Sequence, residues 1–196
     1  MSERKVVTNM LVTLDGRYVG PGGPGDMGFV MPYAVSDVAR DHLTRLWENA
    51  TTALLGRVNA EGFLGYWPLV AGDESADARD RAYARWLTET EKVVLSTSLS
   101  EAPWERTRIM NAPAPDVVDQ LRTEPGGDIV VMSSASVIKP LLAADKVDRF
   151  CLIVVPEIYG DGIRLLDDGL PSSRWTLGHR EVGEHGELSL AYDRVR

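Results

Sequence analysis

Three times along this chain an apolar run ends in a small polar exit and gives way to a segment of helical character. The runs are ALLG-R at 53–57, VVLSTS at 93–98 and IVVMSSAS at 129–136. Short apolar runs bounded by turn residues read as strands covered on both faces. Strands joined through helical crossovers lie parallel to one another. Parallel strands bring their carboxyl ends to one rim, and open α/β sheets bind ligands at such rims. The repeated exit therefore constrains both the fold class and the place to look for a site.

The remaining segments extend the same pattern. KVVTNMLVT at 5–13 has apolar groups on both sides of its alternation, which predicts a covered strand. RYVGPGGPGD, at 17–26, predicts a mobile or sharply turned loop. In YAVSDVARDHLTRLWENA, Val35, Val38, Ala39, His42, Leu43, Leu46 and Trp47 fall near one helical face. Either Ser36 caps that helix or it begins sooner, after Pro32. A short helix is expected from Arg57, because Val58, Glu61, Gly62 and Phe63 form no long stripe. The charged segment 72–91 predicts a loop and then a helix with a solvated face. Arg108–Met110 adds a short strand, and Val117, Val118 and Leu121 a small helix ending before Pro125.

SASVIKPLLAAD turns helical, capped by Ser134 or by Ser136. Pro140 is tolerable with the Ser136 cap and should kink the helix with the Ser134 cap. RFCLIVVPEI is a further strand. WTLGHREV and GELSLAYDRV predict an antiparallel pair around GEHG, with Leu188, Leu190 and Tyr192 as its buried face. The whole reads as one α/β domain over residues 1–196, with a mixed sheet and a terminal hairpin.

Several function classes are disfavoured. The net charge of -8 reads against a broad nucleic-acid footprint, though not against a small basic pocket. The single cysteine, Cys151, lies in RFCLIVV and is expected to be a buried structural thiol. His42, His179 and His185 show no ligand spacing, so no metal is expected. No signal-peptide core or membrane span is apparent, and a cytoplasmic location is the expectation. GxGxxG and GK[ST] phosphate loops are both missing.

The exits supply the candidate binding residues. Gly56 permits close approach of the chain, and Arg57 offers a fixed fork of donors to phosphate or carboxylate. Ser96, Thr97 and Ser98 bring short hydroxyls, and Ser133, Ser134, Ala135 and Ser136 open a helix. Asp15 follows the first strand. It either shapes the LDG turn or faces a substrate, as a proton source or an orienting charge. His42 reads as a packed histidine, Glu61 and Tyr66 are further candidates, and Trp47, Phe63 and Trp67 are apolar wall or core residues.

TLDG at 13–16, PGGPGD at 21–26, LLGRVNAEGF at 54–63, KVVLSTSL at 92–99, GGDIVVMSSASVIKPLL at 126–142 and VVPEIYGDGIRLL at 154–166 occur here in order. In this the chain resembles the dihydrofolate-reductase-like family, in the stand-alone branch similar to the reductase domain of bacterial riboflavin biosynthesis enzymes. The resemblance covers about residues 4–195. It implies a three-layer α/β fold with a central mixed, mostly parallel sheet and a C-terminal antiparallel hairpin. It also implies hydride transfer from NADPH to a pterin-like, flavin-precursor-like or other small heterocyclic substrate, or else a non-catalytic nucleotide-binding relative, and a homodimer. It places Gly56 and Arg57 near the pyrophosphate, Ser96–Ser98 at the adenosine ribose and its phosphate, and Ser133–Ser136 along the phosphate bridge. Asn9, Leu11 and Val12 fall at the nicotinamide end, and Asp15 at the substrate. Relatives usually carry glycine where this chain has Ser133, whose Cβ either adds a hydrogen bond or narrows the groove.

Overall fold

A computed structural model of the chain describes residues 4–23 and 25–196. Pro24 and residues 1–3, parts of two segments weighed above, lie outside the described residues. The strands are β1 (Val6–Thr13), β2 (Arg17–Val19), β3 (Ala50–Gly56), β4 (Glu91–Leu95), β5 (Thr107–Met110), β6 (Asp128–Met132), β7 (Arg149–Val155), β8 (Ile163–Arg164), β9 (Arg174–Val182) and β10 (Leu188–Val195). The helices are α1 (Met31–Ala34), α2 (Asp37–Trp47), α3 (Arg57–Val70), α4 (Ala78–Glu89), α5 (Ala114–Thr123) and α6 (Ala135–Ala143).

Eight strands form one sheet in the order β5-β4-β3-β6-β1-β7-β10-β9. The six strands from β5 to β7 are parallel, and β10 and β9 close the far side antiparallel. Alternation along the strands fills both faces. Val6, Met10, Leu54, Val93 and Val131 meet Val117, Leu121, Ile138 and Leu141 of α5 and α6. Val7, Ala53, Leu55, Val94 and Val130 meet Leu46 of α2, Leu64 of α3, and Tyr83 and Leu87 of α4. The result is the α/β architecture expected, a helix layer on each face of a mixed, mostly parallel sheet.

Local chemistry sets the helix boundaries. Ser36 Oγ accepts the Ala39 amide and starts α2, while the segment after Pro32 forms the separate four-residue α1. α3 runs 14 residues, not the short helix expected from its first turns. Its buried residues are Ala60, Leu64 and Val70, and the partly buried Trp67 ring meets Tyr83 of α4 edge-on at 4.5 Å. The 17–26 segment holds a strand the sequence reading missed. β2 pairs with β8 in a small second sheet, and Gly20 to Asp26 folds back in a tight turn.

The terminal hairpin inverts the expected burial. Leu188, Leu190 and Tyr192 are only half-buried, whereas Ser189 on the other face is sealed. α2 covers the serine face with His42 and Arg45, whereas Tyr192 on the leucine face borders a hollow lined by Leu142 of α6, Phe150, Leu152 and Trp175.

One register detail positions the site. β6 pairs with β1 only through Asn9 opposite Met132, while β1 continues beside β7 to Thr13. β1 therefore outruns β6 at the carboxyl-end rim, and this notch in the ladder lies beside residues 10–13.

Candidate functional site

A hollow of about 460 Å³ opens on this rim. Its walls come from the strand exits and from the helix starts that follow β3, β5 and β6. Gly56, Arg57, Ser96, Thr97, Ser98, Ser134 and Ser136 all line it, so seven of the expected cofactor residues come together. Ser133 and Ala135 belong to the same β6–α6 turn. Arg57 is the one charged residue in the lining, and its carboxylate partner Glu61 lies outside that lining.

The helix starts differ in a way that matters. α3, α5 and α6 open on the hollow, and none has a side-chain cap. Elsewhere, α2 and α4 are capped by Ser36 and Asp77, and only the four-residue α1 starts uncapped away from the hollow among the described residues. The first-turn amides of a helix need acceptors and carry partial positive charge. At α3 and α6 the residue best placed to cap the helix does something else. Gly56 has no side chain, and Ser134 Oγ accepts the Gly56 amide at 2.8 Å instead. Ser134 is thus the cap position of α6 without being its side-chain cap, and Pro140 falls inside the helix. A Cβ at Gly56 would come within 2.7 Å of Ser136 Oγ and 2.9 Å of Ser134 Oγ, so a side chain there would have to displace both hydroxyls.

Arg57 is half-exposed, and its guanidinium pairs with Glu61 one turn on at 2.7 Å. Ser96 Oγ accepts the amides of Ser98 and Leu99, which folds the β4 exit back against the hollow. Ser133 adopts φ 47°, a left-handed conformation that favours glycine, and its amide donates to the Asn9 carbonyl. Asn59 was not singled out in the sequence. Its Nδ2 donates to the carbonyls of Met132 and Ser133 and braces that turn. The wall at Asn111–Ala114 was also missed, although NAPA after β5 repeats the small-residue exit of the other strands.

The remaining candidates separate. Asn9 is buried beside the end of β6, its Oδ1 2.9 Å from His42 Nε2. Leu11 packs with Phe29 and Val30, and Val12 lies in the cluster on the opposite face. Their side chains cannot share one pocket, so the notch offers main chain at residues 10–13. Asp15 and Val12 line a second hollow of about 360 Å³. The Asp15 carboxylate accepts the Thr13 hydroxyl at 2.6 Å and the amides of Tyr159 and Gly160 at 3.2 and 2.9 Å. These bonds, the Thr13 hydroxyl foremost, hold its pKa well below the usual carboxylate range. Asp15 therefore ties the β1 turn to the 159–160 turn as an anion, which suits an orienting charge and not a proton source.

Glu61 serves Arg57, Tyr66 is exposed, and Trp47, Phe63 and Trp67 pack in the core beneath α2–α4. Cys151 is buried, and desolvation pushes its thiol up to about 12. Among the described residues no cluster of His, Cys, Asp and Glu could hold a metal ion, and no helix is long and apolar enough to cross a membrane.

A mostly parallel α/β sheet whose carboxyl-end rim carries a hollow ringed by uncapped helix starts defines an α/β class of protein with a rim cleft. Within it, the chain belongs to the RibD C-terminal domain family, whose model matches residues 4–186. It is 26% identical over 192 residues to the uncharacterized protein YyaP of Bacillus subtilis, covering 98% of this chain and 96% of YyaP. Its fold is similar to that of a putative riboflavin biosynthesis protein from Shewanella sp. PV-4, with TM-score 0.70, 16% identity and coverage of 98% and 99%. It is also similar to the fold of dihydrofolate reductase from Enterococcus faecalis, a structure complexed with NADP(H), with TM-score 0.54, 14% identity and coverage of 98% and 97%. The fold is dihydrofolate-reductase-like.

Proposed function

We propose that this chain is a single-domain NADPH-dependent reductase of a small heterocyclic substrate. The observation that carries the reading is the convergence of uncapped helix starts, the Gly56 approach and Arg57 on one carboxylate-free hollow in an acidic chain. A dinucleotide carries its charge on phosphates, and helix-start amides stabilise such anions. The amides of α3 and α6 would hold the pyrophosphate with Gly56, Ser134 and Ser136 around it. Arg57 and Ser96–Ser98 would take the adenosine end, the 2′-phosphate included. The notch beside residues 9–12 would receive the nicotinamide.

When bound, the reduced nicotinamide supplies the hydride. The chain's own part is to align the ring against the electrophilic carbon and to exclude water. Asp15, held ionised, would orient the substrate end through the 159–160 turn, and the proton would come from solvent.

Calorimetric titration with NADPH and NADH tests this. Tighter binding of NADPH is expected, and loss of about 1–3 kcal/mol in Arg57→Ala is the expected size of a charge-assisted contact. Equal binding of the two would remove the phosphate preference, and no binding at millimolar cofactor would remove the assignment. Binding without turnover is a second reading, favoured by one observation: Ser133 occupies a left-handed turn next to the cleft. Hydride consumption on a panel of pterins and aminopyrimidines separates the two.

We also propose a homodimer. The half-buried Leu188, Leu190 and Tyr192 adjoin exposed Leu177 and Val182 and a 280 Å³ apolar hollow beside Trp175, a face that suits a second copy.

A further inference from the structure

His42 is 3% exposed and belongs to none of the roles assigned above. Its Nδ1 lies 2.7 Å from Ser189 Oγ and its Nε2 2.9 Å from Asn9 Oδ1. Arg45, one turn along α2, donates to the same Ser189 oxygen at 3.3 Å and to Glu181 at 3.0 Å. Four side chains from α2, β10 and β1 thus form one line that ends at the notch.

The line has a direction. Arginine only donates, so Ser189 Oγ is an acceptor toward Arg45. Ser189 is fully buried, and the acceptor within reach of its hydroxyl proton among the described residues is His42 Nδ1. A buried hydroxyl left without an acceptor is costly, so that nitrogen accepts. A neutral imidazole then carries its proton on Nε2 and donates it to Asn9 Oδ1. With its oxygen taken, Asn9 has only its Nδ2 donors left to offer. Among the described residues Nδ2 has no acceptor, and it is not one of the sealed, unpaired side-chain atoms, so it keeps contact with solvent. Asn9 keeps 5% exposure and is the last β1 residue paired with β6, where the register step begins.

We infer that the Arg45–Ser189–His42 relay sets the amide of Asn9 with its donors toward the notch, where it recognises a carbonyl oxygen on the nicotinamide half of the cofactor. His42 is a positioning residue that acts through Asn9. The inference rests on the cofactor reading above and adds to it the polarity of the contact. A carbonyl is accepted there, and a donor group is refused.

The test compares NADPH with 2′,5′-ADP, which has the phosphate-bearing adenosine half and lacks the nicotinamide. Asn9→Ala and His42→Phe should each weaken NADPH about tenfold, the scale of one hydrogen bond to a ligand carbonyl. The double variant should be no weaker than either single one. The affinity for 2′,5′-ADP should be unchanged in all three, which is the control for folding. Asn9→Asp, which replaces the donor by an acceptor, should weaken NADPH more than Asn9→Ala does. Equal losses for both ligands, additive losses in the double variant, or unchanged NADPH affinity would each overturn the inference. If His42→Phe does not fold, Ser189→Ala takes its place in the same cycle, with the same outcomes. Failure of the wild-type protein to bind either ligand would instead remove the cofactor reading on which the inference rests.

Discussion

Lowering the pH should unfold this protein through His42 before it unfolds it through most carboxylates. Burial is the largest cause of the low basicity of His42, with the nearby charges of Arg45 and His179 acting in the same direction, and together they bring its pKa down to about 3. The polar hollow behind the ring also contains Arg149, Asp128 and Cys151. In the unfolded chain the imidazole returns to 6.5. Between those values the unfolded state binds a proton that the native state refuses. Stability due to this group is therefore complete above pH 6.5 and falls steadily until about pH 3. Each pH unit in that window costs about 1.4 kcal/mol, so the whole interval is worth on the order of 5 kcal/mol, a large share of a typical domain's stability. Urea unfolding from about pH 7.5 to 4.5, on wild type and His42→Gln, isolates the term because the other groups titrate in both. Below pH 6.5 the slope of stability against pH should be steeper in wild type by about 1.4 kcal/mol per unit. Parallel slopes would refute the reasoning. The ring nitrogen shifts of His42 provide an independent measurement: they should remain those of a neutral ring down to pH 4, and a midpoint near 6.5 would refute it equally.

Ser133→Gly should raise stability by about 0.5–1 kcal/mol in thermal melts, since glycine adopts the left-handed turn without strain. It should also tighten NADPH, and a lower melting temperature would show that the serine side chain is needed there. Asp15→Asn should lose stability at neutral pH. The native carboxylate has a depressed pKa, so its contribution is intact above its ordinary value of 3.8 and is lost as pH falls below it; acid melts of the variant should lack that component. An unchanged acid limb would show that the Thr13, Tyr159 and Gly160 bonds contribute nothing net. Light scattering should give twice the chain mass of 21.5 kDa. Leu190→Lys on the half-covered hairpin face should return it to one, and a monomeric wild type would remove the dimer.

Much of the architecture was legible in the sequence because buried parallel strands are nearly all apolar. β3, β4, β6 and β7 declare themselves through ALLG, VVL, IVVM and RFCLIVV. The rim was legible for the same reason, since an abrupt small polar exit after an apolar run is a local signal. What escaped depends on partners distant in the chain. β2 pairs with a strand more than 140 residues away, and a three-residue segment carries no period of its own. The length of α3 is set by Tyr83 on another helix. The hairpin was misread because alternation identifies which residues share a face but not which face α2 will cover. Ser189 is buried because His42 and Arg45 bring it partners, and a lone serine opposite three apolar residues gives no hint of that. Asp15 was visible as a candidate, and its engagement by Tyr159 and Gly160 was not, since those amides come from the far end of β7.

The step in the rim where β1 outlasts β6 separates two kinds of evolutionary freedom. The hollow on the rim is built from strand exits and helix starts, so any change there disturbs the sheet itself. The carboxyl end of β1 instead meets chain outside the sheets: Leu11 packs with Phe29, Val30 and Tyr159, and Asp15 accepts the Tyr159 and Gly160 amides. Exchanges at the exposed Met27, Gly28 and Ile158 in that chain leave the β1–β7 ladder and the buried Phe29 and Val30 in place. On the cofactor reading proposed above, a lineage retunes which ring system it admits at those exposed positions, and exchanging them between relatives should move preference among ring systems without moving affinity for the adenosine half.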